Sequence, residues 1–313
     1  MAGRSRTIFW AVLVAVLALL PPLASAFDQP FYVELIRRVM IYAIAATSLN
    51  LILGYGGLVS FGHAAYLGVG GYAVGILSFY GVDNGWLQWP LAVVASAGIA
   101  AAIGAVSVRT SGIYFIMITL AFTQMLYYLG ISLEEFGGDD GMRLKRRSQF
   151  AGLFDLADPT VFYYVVLVLM LASIWLVHRI AQSRFGFVLR AAKSNEPRSR
   201  AIGFSPYAYR LVAFVIAGAI CGLAGALQAN QTSFVTPEFM HWTRSGEIMF
   251  MVILGGIATT AGPLLGAAGL LVVETVLASW TEHWQVILGP LLVLSVVFFR
   301  RGLAGSIPGA KDG

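Results

Sequence analysis

The segment RIAQSRFGFVLRAAKSNEPRSRAIGFSPYAYR, residues 179–210, shows most directly how this chain is organised. It contains seven Lys or Arg residues and one acidic residue, Glu196, between two apolar runs at about 161–180 and 207–230. Each run has the roughly 20 residues that a transmembrane helix requires. Positive charge beside such spans is typical of loops on the cytoplasmic side. The segment therefore predicts a membrane protein with a large cytoplasmic loop at about 181–206.

The composition of the whole chain agrees with this prediction. Among its 313 residues, 58% are hydrophobic and 11% are charged, and the mean hydropathy is +0.80. About a quarter of the residues in a soluble domain are charged, so this chain has too few charges to cover its apolar surface in water. No compositional break divides it, and we predict one transmembrane domain, residues 1–313. Because the basic residues flank the spans, the net charge of +5 does not indicate nucleic-acid binding.

Ten apolar segments predict an all-α integral membrane protein with about ten transmembrane helices and both termini in the cytoplasm. In this topology the loop at about 132–160 lies outside, although it contains the basic residues of Arg143–Arg147, because its six acidic residues outnumber them. Arg190 and Arg301 are predicted to face the cytoplasm. The segments are 7–26, 32–53, 63–80, 89–108, 113–131, 161–180, 207–230, 245–260, 264–281 and 284–299.

The first apolar segment has a second interpretation. Arg4 and Arg6 precede it and Ala24–Ser25–Ala26 ends it, which is also the pattern of a secretory signal peptide. Phe27 emerges outside in both cases, so the topology of the later spans is unchanged.

Glycines concentrate in two clusters, Gly54–His63 and Gly255–Pro263. Glycine permits close packing of transmembrane helices, which is one interpretation of the clusters. The other is a broken or re-entrant helix, as in transporter cores, where unwound backbone lines a pathway or is buried in protein. The short eighth segment and the ninth form the predicted re-entrant pair. Spans two to five and seven to ten start from opposite sides, an arrangement typical of an inverted repeat.

Candidate pathway or broken-helix residues are the glycines of the clusters and the polar residues in or near apolar spans. Interhelical hydrogen bonding is the alternative role for these polar residues. The candidates are Asn50, Gly57, Ser60, Gly62, His63, Thr119, Gln124, Gly255 and Gly256.

The sequence contains no nucleotide-binding or metalloprotease motif, and its four histidines are dispersed. Ser60 and His63 lack the surrounding pattern of a serine hydrolase. We therefore predict no catalytic residue, no metal site and no cofactor, and a transport protein rather than an enzyme. A gradient-driven secondary transporter is one alternative, and its coupling carboxylates would have to be Glu247 and Glu274.

Several stretches resemble LivM-type permease subunits of branched-chain amino acid ABC importers. They cover nearly the whole chain and include SLNLILGYGGLVSFGHAAYLGVGGYAVG (48–75), SGIYFIMITLAFTQ (111–124), GGDDGM (137–142), residues 183–227, EIMFMVILGGIATTAGPLLGAA (247–268) and FFRRGLAG (298–305). The resemblance implies a bacterial inner-membrane permease that works with a LivH-type second permease, two cytoplasmic ABC ATPases and a periplasmic solute-binding protein. Similar permeases carry urea, short amides or aromatic acids, so these solutes remain alternatives.

The resemblance also implies that the ATPase contacts Glu196–Gly203, although Pro197 and Arg198 replace two alanines that are usual after the glutamate. The local sequence predicts a short helix with Asn195 or Ser194 as its cap and Gly203 at its end. Binding of anionic lipid is the alternative role for this loop. The predicted coupling residues are Asn195, Glu196, Arg200 and Gly203.

Overall fold

The structure, a computed structural model, describes residues 2–150, 152, 154–298 and 302–306. Over these residues the chain is almost entirely helical, with a π-helical turn at Leu51–Tyr55 and one two-stranded sheet. The helices are α1 (Ala2–Ala26), α2 (Pro30–Asn50), α3 (His63–Phe79), α4 (Gly85–Ser107), α5 (Ile113–Ser132), α6 (Pro159–Gln182), α7 (Arg184–Ser194), α8 (Glu196–Ala201), α9 (Pro206–Thr232), α10 (Trp242–Gly255), α11 (Gly262–Trp280), α12 (Trp284–Phe298) and α13 (Gly302–Ser306). The strands are β1 (Met142–Arg143) and β2 (Phe234–Val235), and 3-10 turns occupy Glu134–Phe136 and Pro237–Met240.

Local sequence signals explain several helix starts. Asp158 caps α6 by accepting a hydrogen bond from the Thr160 amide at 2.7 Å, and Asn84 caps α4 by accepting one from Trp86 at 3.0 Å. A side-chain oxygen at this position satisfies an amide that has no partner within the helix. Proline stands in the first turn of α2, α6 and α9, where its missing amide hydrogen is not needed.

All ten predicted segments contain a helix, but within the described residues seven helices are both long and apolar enough to cross a membrane. They are Thr7–Ser25, Pro30–Tyr55, Gly85–Ser107, Ile113–Ser132, Pro159–Gln182, Pro206–Thr232 and Gly262–Trp280. The helices α3, α10 and α12 have 17, 14 and 15 residues and fall below the usual length. The apolar segment predicted at 245–260 extends across glycine-rich backbone that is not helical. Hydropathy therefore overestimates how far α10 continues.

The core is built around α2 and α9, which contact each other. Helices α3 and α4 pack against α9, whereas α10 and α11 pack against α2. The pair α3 and α4 thus contacts a helix from the second half of the sequence, and the pair α10 and α11 contacts one from the first half. The inverted repeat stays a prediction. Large apolar side chains remain exposed on the surrounding helices, as expected of surfaces in contact with lipid; examples are Val94, Met117, Val168, Trp175 and Val293.

The loops separate into two ends of the helix bundle. At one end β1 pairs antiparallel with β2, and Lys145 donates a hydrogen bond to the Phe79 carbonyl at 2.9 Å. At the other end Tyr207 donates to the Ala105 carbonyl at 3.1 Å. The 24 residues of α6 span about 36 Å between these ends. The acidic loop at 132–160 and the basic loop at 181–206 therefore lie at opposite ends of α6.

The first helix lies at the edge of the bundle. The hydroxyls of Tyr163 and Tyr164 donate to the carbonyls of Leu17 and Ala18 at 2.8 and 2.9 Å, which fastens α1 to α6. The predicted position of Arg301 lies outside the described residues.

Candidate functional site

The basic loop folds into two short helices, α7 and α8, whose ends are set by local sequence. Asn195 caps α8 by accepting a hydrogen bond from the Arg198 amide at 2.9 Å. Gly203 follows α8 with φ of +92°, and its amide donates to the Arg200 carbonyl at 3.0 Å. The Phe204 amide reaches back to Ser199 at 3.2 Å. These two bonds form the Schellman motif that glycine favours, so the predicted cap and end of this helix are confirmed.

Glu196 joins α8 to the start of α9. Its carboxylate accepts hydrogen bonds from Arg200 at 2.5 Å and from Arg210 at 2.6 Å. Burial alone would raise the pKa of Glu196, but the hydrogen bonds and charges of the two arginines hold it below its usual value. The side chain of Arg210 is only 12% exposed and also donates to the Ala192 carbonyl at 3.3 Å. The predicted coupling residues Glu196 and Arg200 therefore share one ionic cluster with Arg210, which the sequence did not single out.

Two further hydrogen bonds attach helix α7 to the helix bundle. Arg190 donates to the Ala181 carbonyl, in the last turn of α6, at 2.6 Å. Lys193 donates to the Gly54 carbonyl, in the π-helical turn after α2, at 2.7 Å. The stem of Lys193 lies so close to Gly57 that a β-carbon there would be 2.8 Å from Lys193 Cγ. The basic loop thus contacts the first glycine cluster directly.

The first break is the non-helical backbone that follows the π-helical turn and ends where α3 begins. Phe61 lies in this stretch and its backbone is held by side chains of other helices. Its amide donates to Thr119 Oγ1 at 3.2 Å, and its carbonyl accepts from Thr123 at 2.9 Å and Ser245 at 2.7 Å. Ser60 Oγ accepts from the Gly62 amide at 3.0 Å. Buried backbone outside a helix requires such partners, so the predicted broken segment is present.

Two predicted pathway residues differ in their position relative to this break. His63 is fully buried at the start of α3, and neither ring nitrogen has a hydrogen-bond partner among the described residues. Gln124 is half-buried and turned about 100° around α5 from Thr123. The structure therefore places His63 at the break and leaves Gln124 beside it rather than within it.

The second break, 256–261, joins α10 to α11, and Asn50 links it to the first. Asn50 Oδ1 accepts a hydrogen bond from the Ala258 amide at 2.9 Å, and its Nδ2 donates to the Thr259 carbonyl at 2.9 Å. A β-carbon on Gly54 would overlap Asn50 and lie 2.8 Å from the Ala258 nitrogen. The two glycine clusters, 200 residues apart in sequence, are therefore neighbours in the fold.

Close backbone packing dominates around the second break. A β-carbon on Gly255 would overlap the Gly262 carbonyl oxygen, and one on Gly266 would overlap the Met251 carbonyl oxygen. Gly256 has φ of +117°, a conformation that other residues rarely adopt. Both interpretations of the glycines thus apply here: they pack α10 against α11 and they break the helix.

The arrangement does not resemble a catalytic centre. Ser60 Oγ accepts its hydrogen bond from the Gly62 amide, and no bond joins Ser60 to His63 among the described residues. Nor do the described residues contain a group of His, Cys, Asp or Glu suited to a metal ion. Both candidate coupling carboxylates are paired with arginine; the pairs are Glu247 with Arg244 at 3.0 Å and Glu274 with Arg38 at 3.1 Å.

Long apolar helices around a buried core are typical of a multi-pass membrane protein. The family described as "Branched-chain amino acid transport system / permease component" matches residues 31–296, and the chain belongs to this family.

Individual relatives agree with that family. The chain is 29% identical over 294 residues to the high-affinity branched-chain amino acid transport system permease protein LivM of Salmonella typhimurium, covering 87% of this chain and 69% of the relative. It is 24% identical to LivH of the same kind of system in Escherichia coli, over 84% of this chain and 91% of the relative. A shorter match, 28% identical over 54% of this chain and 51% of the relative, is to the autoinducer 2 import system permease protein LsrC of Klebsiella pneumoniae. No solved structure matches the chain significantly.

Proposed function

We propose that this permease component passes its solute along a route bounded by the two glycine-rich breaks, driven by ATP hydrolysis on separate cytoplasmic ATPases. The observation that carries the proposal is the contact between the basic loop and the first break, Lys193 Nζ to the Gly54 carbonyl at 2.7 Å. In an importer driven by ATP, a membrane subunit without a nucleotide-binding motif receives its work from a partner that hydrolyses ATP. A capped helix attached to broken backbone is a suitable element for receiving it.

In this proposal α8 is the docking element, with Asn195, Glu196, Arg200 and Gly203 fixing its shape. The ionic cluster at Glu196 ties α8 to α9, so displacement of α8 would be passed to a helix at the centre of the fold. The pathway candidates are Asn50, Gly57, Ser60, Gly62, His63, Thr119, Gly255 and Gly256, which line or support the breaks.

The proposed complex contains a second permease of the LivH type, two ABC ATPases and a periplasmic solute-binding protein. Permeases named LivM and LivH both match this chain, which supports a pair of related membrane subunits. The proposed location is the bacterial inner membrane, with about ten crossings, the basic loop and both termini in the cytoplasm. The separation of the basic and acidic loops at opposite ends of α6 supports this topology.

Branched-chain amino acids are the solute that the family favours. The match to LsrC, named for autoinducer 2 import, shows that related permeases are associated with other solutes. Urea, short amides and aromatic acids therefore remain in the proposal as alternatives. Ligand binding by the partner binding protein would distinguish among them.

A gradient-driven transporter is less well supported. Coupling ions require free carboxylates near broken helices. Glu247 and Glu274 instead pair with arginines.

Two glycine variants test the coupling role of the loop in the assembled complex. In Gly203→Val, the side chain meets open space but must adopt φ of +92°, so the end of α8 is disturbed. Gly98→Val is the matched control, because Gly98 also faces open space but lies within α4 without a positive φ. We expect Gly203→Val to lose ATPase association and uptake while Gly98→Val keeps both. Full assembly and uptake in Gly203→Val and in Glu196→Ala would contradict the proposal and favour the lipid-binding role.

A further inference from the structure

We infer that Lys193 is the positioning residue through which displacement of α7 reaches both glycine-rich breaks. The inference rests on the proposed coupling role of the α7–α8 loop and specifies the route that the displacement takes. Among the described contacts of α7, those of Arg190 and Arg210 involve carbonyls of regular helices. The contact of Lys193 is different, because its partner Gly54 lies in a π-helical turn next to non-helical backbone.

The chemistry of this contact favours a firm attachment. The last carbonyls of a helix have no partner within the helix and carry its partial negative charge. The Lys193 ammonium lies at this end of the α2 helix and its π-helical continuation, and it donates directly to one of these carbonyls. Gly57, with φ of +71° and no side chain, lets the lysine stem lie against the backbone. Single π-helical turns within α-helices occur frequently at functional sites.

The route continues from Gly54 to the second break. Gly54 touches Asn50 and Ala258 so closely that a β-carbon would overlap the Asn50 carboxamide. Asn50 in turn holds the backbone of Ala258 and Thr259 with two hydrogen bonds of 2.9 Å. A shift of the π-helical turn cannot leave these neighbours in place, because packed interiors leave no room for independent movement. Lys193 therefore connects the loop to the first break directly, and to the second break through Gly54 and Asn50.

The inference predicts uncoupling rather than disassembly when the link is removed. In the complex with its ATPases, Lys193→Met keeps the length of the stem but removes the ammonium. We expect the ATPase to remain bound and to hydrolyse ATP, while solute uptake per ATP hydrolysed falls about tenfold. A tenfold change corresponds to the loss of one hydrogen bond to a charged group. Lys193→Arg keeps a donor and a charge and should restore most of the uptake.

Arg179→Met is the matched control, because Arg179 is an exposed cation in the last turn of α6 at the same end of the molecule. It removes the same charge and should leave the ratio of uptake to hydrolysis unchanged. An equal fall in uptake per ATP hydrolysed in both methionine variants would mean that the effect comes from the loss of positive charge at this end of the molecule, and not from the contact with Gly54.

Hydrogen exchange of the amides in 51–58 supplies a readout that a purely structural role would not change. In the wild-type complex, addition of nucleotide should alter the protection of these amides, and in Lys193→Met the nucleotide response should disappear. A preserved response, or a normal uptake ratio, would overturn the inference while the proposed function stood. Loss of ATPase assembly in Lys193→Met would also overturn it, since the lysine would then serve docking. If Gly203→Val and Glu196→Ala kept assembly and uptake, the proposed function itself would fail.

Discussion

The two glycine-rich breaks meet in the fold but are stabilised in different ways. The first is stabilised by hydrogen bonds from side chains of other helices, chiefly those of Thr123 and Ser245 to Phe61. The backbone of the second is bonded to the Asn50 side chain, but the helices that flank it are held by contact of backbone with backbone, as at Gly255 and Gly266. Side-chain hydrogen bonds can exchange one at a time, whereas backbone contact fails as soon as one atom is added. We therefore expect the first break to rearrange more easily, and the second to move together with the closely packed α10 and α11.

The strongest test of this difference adds single methyl groups at the second break. Gly255→Ala and Gly266→Ala each place a β-carbon on a backbone oxygen of the facing helix, so α10 and α11 must separate. We expect a loss of about 3 kcal/mol or more in the free energy of unfolding, at the upper end for overpacked cores. Unfolding in detergent measures it, with Gly98→Ala as the control in open space. Near-wild-type stability in both variants would remove the distinction between the breaks.

A smaller effect is expected at Asn50, which ends α2 and binds the backbone of the second break. Asn50→Leu leaves the Ala258 amide and the Thr259 carbonyl without their partner; both are only part-buried, so we expect a total cost of about 1–2 kcal/mol, near the lower end of the cost of unpaired buried groups. Asn50→Gln keeps the carboxamide on a longer side chain and should be intermediate in stability. Equal stability of the leucine and glutamine variants would show that the carboxamide does not join the breaks.

The first break should respond to two changes together more than to either one. Thr123 and Ser245 both donate to the Phe61 carbonyl, so removing one leaves the other in place. We expect Thr123→Val alone to cost less than about 1 kcal/mol. The double variant with Ser245→Ala should exceed the sum of the single effects by about 1 kcal/mol, because the carbonyl is then unpaired. Strict additivity in this cycle would contradict the shared role.

The smallest effect concerns pH and the ionic cluster that ties α8 to α9. Because its arginine partners lower the pKa of Glu196, the ion pairs stabilise the fold above the ordinary glutamate pKa of 4.5. This contribution is lost as the pH falls through the lowered pKa. Partly exposed ion pairs contribute less than about 1 kcal/mol. The Tm of the wild type should therefore be slightly higher than that of Glu196→Gln at neutral pH, and this difference should vanish in acid. A difference that grows in acid would contradict a stabilising role for the ion pairs of Glu196 with its arginines.

Features that depend on a few adjacent residues were predictable. Asn195 and Gly203 follow local rules of helix capping, and both predictions are confirmed. Apolar length likewise located ten of the described helices, although it did not show that α10 is only 14 residues long. Hydropathy depends only on how apolar the residues are, and a buried glycine-rich break is as apolar as a helix.

Contacts between distant residues were not predictable from one sequence. Asn50 was singled out as a polar residue in a span, but nothing near it identifies the backbone at 258–259 as its partner. In the sequence Lys193 is one of several positive charges in its loop, and Ser245 is an isolated serine at the start of an apolar segment. Thr119 is predicted to line the pathway, and in the structure its hydroxyl accepts a hydrogen bond from the Phe61 amide. Each of these roles depends on which helices meet, and that is decided by packing of the whole chain.

The sequence separation of 208 residues between Asn50 and Ala258 has a consequence for synthesis. Ribosomes add about 5–20 residues per second, so Asn50 is made roughly 10 to 40 seconds before its partners exist. During that interval its carboxamide has to bond to other groups, such as water or backbone. The contact that joins the end of α2 to the α10–α11 connection therefore forms only after most of the chain has been made, which places completion of the core late in biogenesis.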